Sequence, residues 1–121
     1  MAKSILAVDD SVTMRQTIAT TLEKEGYTVI LANDGKDAVS KLNGNRFNLI
    51  ITDINMPNMD GITLIKEIKK QASHKFTPII VLSTESQPEK KEEGKSAGAT
   101  GWIIKPFKPD QLIAVVKKVC P

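Results

Sequence analysis

Several features that would define a secreted, membrane-bound or zinc-stapled protein are missing from this chain. It carries one cysteine, Cys120, and one histidine, His74, in 121 residues. A lone cysteine cannot close an internal disulfide, which points to a reducing cytoplasm. Cys120 reads as a small, half-buried residue of the last helix, and His74, in the polar stretch 71–75, as an exposed loop residue. No apolar run approaches the ~20 residues needed to span a bilayer. The start, Met1-Ala2-Lys3-Ser4-Ile5, moves directly into a strand, without the apolar stretch and cleavage site of a signal peptide. Neither common type of glycine-rich phosphate loop occurs, so a bound nucleotide is not expected. Repeats, low-complexity tracts and linkers are absent too. Neither sign of charge dominates: 17 basic and 14 acidic residues leave a net +3, with the lysines scattered along helical segments as solvated faces. That excludes a nucleic-acid footprint built on a basic patch. One domain spanning 1–121, with a real core and no room for a second domain, is expected.

What is present is a strict alternation. Five short apolar runs, Ile5–Val8, Thr28–Ala32, Phe47–Thr52, Pro78–Leu82 and Gly101–Ile104, punctuate the chain. The first, third and fourth are continuous, as parallel strands covered on both faces must be. Between them lie helical stripes. Met14, Ile18 and Leu22 recur every four residues before Glu25-Gly26 stops the helix. Asp34-Gly35 opens a second helix through Ala38, Val39 and Leu42, and Asp60 caps a third carrying Ile62, Ile65 and Ile68. The last helix starts near Pro109 and carries Leu112, Val115, Val116 and Val119. The fourth is the weak one. Ser86-Gln87-Pro88-Glu89 has the spacing of a capping box, yet residues 89–96 include a glycine and no apolar side chain. The pattern predicts an α/β fold, (βα)5, a doubly wound parallel five-stranded sheet with helices on both faces. Ligands of such sheets bind at the carboxyl ends of the strands.

Those ends carry the chemistry. The first strand ends in Asp9-Asp10, the third in Asp53, the fourth in Ser83-Thr84 and the fifth in Lys105-Pro106. Three carboxylates in one crevice repel one another, and a divalent cation relieves that. An all-oxygen set suits Mg²⁺, and with no histidine or cysteine nearby zinc is disfavoured. One of the paired aspartates could merely cap the helix that begins near Ser11, which leaves the rest of the set unexplained. Three aspartates, Mg²⁺ and Lys105 sum to about zero charge, so Asp53 stays an anion able to attack phosphorus. The metal and Lys105 would then hold the phosphoryl oxygens, with the Ser83 hydroxyl as a further donor.

Asp9-Asp10, Asp53, Ser83 and Lys105-Pro106 resemble the acid pair, phospho-acceptor, switch hydroxyl and Lys-Pro motif of bacterial two-component response-regulator receiver domains. Asn55-Met56-Pro57-Asn58-Met59-Asp60-Gly61 and Ala97-Gly98-Ala99 are similar to the CheY-like chemotaxis branch. The resemblance covers the whole chain and implies a flavodoxin-like sheet of order 2-1-3-4-5. It implies Mg²⁺ (Mn²⁺ as a substitute) bound by Asp10, Asp53 and the Asn55 backbone carbonyl, with Asp9 acting through water. It implies that Lys105 contacts the phosphoryl group and that the Lys105–Pro106 bond is cis. Ser83 and Trp102 become the switch pair, and Asn55 and Glu85 tune hydrolysis of the acyl phosphate. Thr84, where Ala or Gly is usual, brings a β-branch that could crowd the site. Trp102 stands for the more usual Tyr, without the hydroxyl and with a ring too large to bury fully.

The function this implies is a stand-alone response regulator, a phosphoprotein and signalling protein in the cytoplasm. It is expected to be a monomer without membrane insertion, and not an enzyme beyond its own phosphorylation and dephosphorylation. A CheA-like histidine kinase is the implied phosphodonor, with a phosphatase as a further partner. The readout face is that of the fourth helix, fifth strand and fifth helix, binding a target protein such as the flagellar motor switch. The alternative is a phosphorelay intermediate or phosphate sink. A small Mg²⁺ phosphohydrolase with an aspartyl-phosphate intermediate is more remote, because such enzymes place an acidic Asp where this chain has Asn55.

Overall fold

Side chains of the strands alternate between the two faces of the sheet, and on the inner strands both faces are covered. A computed structural model describes residues 3–121. Five parallel strands, β1 (Ser4–Val8), β2 (Thr28–Ala32), β3 (Leu49–Thr52), β4 (Ile79–Ser83) and β5 (Gly101–Ile104), form one sheet in the order 2-1-3-4-5. Five helices connect them: α1 (Val12–Glu23), α2 (Gly35–Leu42), α3 (Gly61–Lys70), α4 (Pro88–Ala97) and α5 (Pro109–Val119). Leu6, Val8, Ile50, Ile79 and Val81 face a core completed by α2 and α3, with Ala38, Leu42, Leu64, Ile65 and Ile68. Ile5, Ala7, Leu49, Ile51, Ile80 and Leu82 face the other core, with Ile18 and Leu22 of α1 and Leu112 and Val116 of α5. The continuous apolar runs are therefore two interleaved faces, both covered. β2 is an edge strand, which is why its burial alternates.

The boundaries shift slightly from the sequence expectation. β3 starts at Leu49, and β4 starts at Ile79 because Pro78 has no N–H to place in the ladder. The Ser86–Glu89 capping box does not form. Gln87 occupies the cap of α4 and its side chain makes no cap hydrogen bond, while the Glu85 carboxylate accepts the Gln87 N–H at 3.4 Å. Cys120 is buried, capping the end of α5, and its carbonyl accepts the Tyr27 hydroxyl at 2.8 Å.

His74 overturns the expectation of an exposed loop residue. It closes a 3₁₀ turn (Ala72–His74) and has no exposed surface. Its Nε2 accepts the Phe47 N–H at 3.2 Å, so Nδ1 carries the proton and donates to Ser73 Oγ at 2.9 Å. The ring also stacks at a tilt on Phe47, centroids 5.9 Å apart. Burial, reinforced by the charge of Arg46, holds His74 below the ordinary histidine range. A base whose pKa falls on folding stabilises the fold fully above the unfolded value of about 6.5 and loses that contribution as pH drops below it. Denaturant unfolding at pH 7.5 and pH 5 should therefore show wild type losing stability relative to His74→Gln, which keeps an acceptor and never charges. Parallel pH profiles for the two proteins would remove His74 as the cause.

Candidate functional site

The strand ladder runs one residue past three strand ends, and those residues are the ionisable ones. Asp9 N–H donates to the Ala32 carbonyl (3.2 Å), Asp53 N–H to Val8 (3.1 Å) and Lys105 N–H to Ser83 (2.9 Å). Backbone pairing thus fixes the three side chains at one end of the sheet. Lys105 Nζ donates to Asp9 Oδ2 at 2.7 Å and to Asp53 Oδ2 at 3.1 Å. The site is largely shielded from water, with Asp9 2% and Asp53 8% exposed. Burial alone would lower the Lys105 pKa, but its hydrogen bond to Asp9 and the charges of Asp53 and Asp9 outweigh this and hold the amine above its usual value. Lys105 is a fixed cation.

The remaining carboxylate oxygens are also placed. Asp9 Oδ1 accepts the Ser11 N–H at 2.9 Å and Asp53 Oδ1 accepts the Ile54 N–H at 2.6 Å. Ser11, rather than either aspartate, caps α1 through its hydroxyl, so the capping explanation for the acid pair fails. Asp10 is exposed beside the cleft. Carboxylate oxygens of Asp9, Asp10 and Asp53 all lie within 4.8 Å of one another. Oxygens facing each other across an octahedral Mg²⁺ are about 4.2 Å apart, from bond lengths of 2.0–2.1 Å. The set fits such an ion when one carboxylate acts through water. Among the described residues, no nitrogen or sulfur ligand joins it.

The switch candidates are linked through the backbone of Glu85. Ser83 is fully buried, and its Oγ accepts the Glu85 N–H at 3.2 Å. Trp102 is half-buried, and its Nε1 donates to the Glu85 carbonyl at 3.0 Å. One peptide segment therefore ties the β4 hydroxyl to the β5 indole. The indole lies against Gly94, where a Cβ would stand 2.8 Å from the ring. The glycine that weakens α4 is what lets it pack there. Thr84 is exposed just past β4, Asn55 is exposed beyond β3, and the Lys105–Pro106 peptide is cis. Arg15 was not anticipated: its guanidinium, one turn into α1, donates to the Asp9 carbonyl at 2.6 Å. No local pattern could have signalled it.

Residues 5–117 match a family described as the response regulator receiver domain. The chain is 37% identical to the protein PilG of Pseudomonas aeruginosa, over 97% of this chain and 87% of that one. It spans 52% of the length of other curated relatives to which it is 34% identical. Among solved structures, the chemotaxis protein CheY4 of Vibrio cholerae is 47% identical and superposes with a TM-score of 0.95, covering 98% of this chain and 99% of that one. The receiver domain of a sensor histidine kinase of Pseudomonas aeruginosa is 29% identical, with a TM-score of 0.90 and 98% of both chains covered. It holds a magnesium ion coordinated in its active-site cleft.

Proposed function

The chain belongs to the response regulator receiver family and is CheY-like; from that premise we propose that it takes a phosphoryl group from a histidine kinase onto Asp53 in a chemotaxis-type pathway. The observation that carries this reading is the convergence of Asp9, Asp10 and Asp53 with Lys105 at one end of the sheet. Asp10, Asp53 and the Asn55 backbone carbonyl would hold Mg²⁺ or Mn²⁺, with Asp9 acting through water. When bound, the ion neutralises charge on the phosphoryl oxygens.

The chain's own groups do the rest. An Asp53 carboxylate oxygen attacks phosphorus while the bond to the donor imidazole breaks, and the departing imidazole takes up a proton. Lys105, already beside Asp53, meets one phosphoryl oxygen without having to be recruited. The Ser83 hydroxyl donates to another, which pulls on its bond to the Glu85 N–H. Because the Glu85 carbonyl holds Trp102, that pull reaches the face of α4, β5 and α5. The switch is thus a redistribution of hydrogen bonds between two states. Asn55 and Glu85 tune how fast the acyl phosphate hydrolyses, and Thr84 and Pro106 shape the loops around it. The proposed target of the switched face is another protein, of the flagellar motor-switch kind.

Trp102 is the one tryptophan, so its fluorescence reports the switch. Adding a small acyl phosphate with Mg²⁺ should change the emission of wild type and leave Asp53→Asn unchanged. Equal responses in both would rule Asp53 out as the acceptor. The likeness to a kinase-borne receiver domain favours one second reading, a phosphorelay intermediate or phosphate sink. Transfer from phosphorylated protein to a second histidine protein, without binding to a motor-switch protein, would select it.

A further inference from the structure

The loop from Asn55 to Asp60 supplies one of the proposed cation ligands, the Asn55 carbonyl; the Met59 N–H donates to the Pro57 carbonyl within it, and the Gly61 N–H closes its base on the Ile54 carbonyl, both at 2.8 Å. A further support comes from the far side of β1, where the corner between β2 and α2 meets it. Asn58 is the one non-glycine residue with positive φ (70°) among those described, and its Nδ2 donates to Asp34 Oδ2 at 2.8 Å. Asp34 has a second duty, since its Oδ1 accepts the Asp37 N–H at 2.8 Å as the cap of α2. The next residue closes the contact sterically. A Cβ on Gly35 would stand 2.7 Å from Met59 Cβ and 2.9 Å from the Met59 carbonyl oxygen, so the loop rests directly on the backbone of the corner. The corner is itself braced. Asp37 Oδ2 accepts the Asn33 N–H at 3.1 Å and the Lys41 ammonium at 2.9 Å, and that ammonium also donates to the Leu31 carbonyl at 2.7 Å.

We propose that Asp34 is a positioning residue of the cation site, acting through Asn58 to hold the Asn55 carbonyl in place. One carboxylate serves both ends of the device: one oxygen anchors Asp34 to α2, and the other, thereby immobilised, anchors the loop. Groups that orient metal ligands in this way are worth about 10-fold or more in affinity. Asp34 touches neither the cation nor the phosphoryl group, so its effect falls on binding geometry. The inference rests on the Mg²⁺ site proposed above.

The test uses Asp34→Ser, Asn58→Gly and the double variant. Serine keeps the helix cap and removes the oxygen facing Asn58, while glycine keeps the positive φ and removes the amide. MgCl₂ titrations followed by backbone amide NMR give each affinity, and hydrogen exchange of amides 54–60 is measured on metal-free protein. Each single variant should bind Mg²⁺ about 10-fold more weakly, the double no more weakly than the worse single. Exchange in the loop should rise, with the thermal midpoint nearly unchanged. Asn58→Gly changes no charge, so its effect cannot be loss of long-range attraction by Asp34. Unchanged affinity in the single variants, or losses that add in the double, would overturn the proposal. Asp10→Asn tests the underlying site: if it binds Mg²⁺ like wild type, the site is misplaced, and loop exchange in the metal-free variants then decides the clamp by itself. Unchanged exchange there would refute it.

Discussion

Replacing Lys105 with alanine should move two properties in opposite directions. Phosphorylation of Asp53 by a small acyl phosphate should fall by about 10²- to 10³-fold, the usual effect of deleting one charge-stabilising donor from a phosphoryl or oxyanion site. Mg²⁺ binding should tighten. The ammonium bridges Asp9 at 2.7 Å and Asp53 at 3.1 Å, so it already partly neutralises the charge that would attract a cation. Without it, three carboxylates repel one another at close range and gain more from the ion. Metal-free Lys105→Ala should accordingly be less stable than wild type, and saturating Mg²⁺ should restore much of the loss. Affinity and phosphorylation rates measured on the same preparation check this. Were both to fall together, Lys105 would be holding the shape of the site instead of competing for its charge.

Gly61→Ala should be among the most damaging single substitutions in the chain. Gly61 is the first residue of α3, and a Cβ there would overlap the Asp53 carbonyl oxygen and come within 2.8 Å of Ile54 Cα. Both obstacles are backbone, so no side-chain rotation can relieve them. The substitution must push α3 away from β3 or tilt the peptide that carries Asp53. A cost of about 3 kcal/mol follows from overpacking against rigid atoms, or a drop of roughly 10 °C in Tm for a domain of this size. Thermal unfolding with and without Mg²⁺ measures it. Because the displaced peptide belongs to the phospho-acceptor, Mg²⁺ should stabilise the variant less than wild type. A Tm within a degree or two of wild type would mean that α3 can shift freely.

The parts of the site legible in sequence share one property. Asp9, Asp53 and Lys105 each follow an apolar run, and a run buried on both faces ends where a charge first appears. Parallel strands in register then bring such ends together, so order along the chain was enough to assemble them. His74 shows why the same logic failed elsewhere. A histidine in a polar stretch looks exposed until Phe47, 27 residues earlier, brings an N–H to its ring. Gly94 looked like a flaw in α4, because its use depends on an indole in another strand. The spacing of Ser86 and Glu89 suits a capping box but says nothing about where the loop enters the helix. There, Gln87 holds the cap position and the Glu85 carboxylate takes its N–H.

By itself the sequence determined the alternation of strands and helices, the two-faced burial of the strands and the identity of the charged residues at their ends. These follow from local periodicity and from the cost of burying charge, which act within a few residues. Tertiary structure alone decided that Lys105 bridges Asp9 and Asp53, that Glu85 joins Ser83 to Trp102, and that Asp34 reaches Asn58. The physical reason is range. A hydrogen bond between groups distant along the chain exists only after the sheet has set their separation to within a fraction of an ångström.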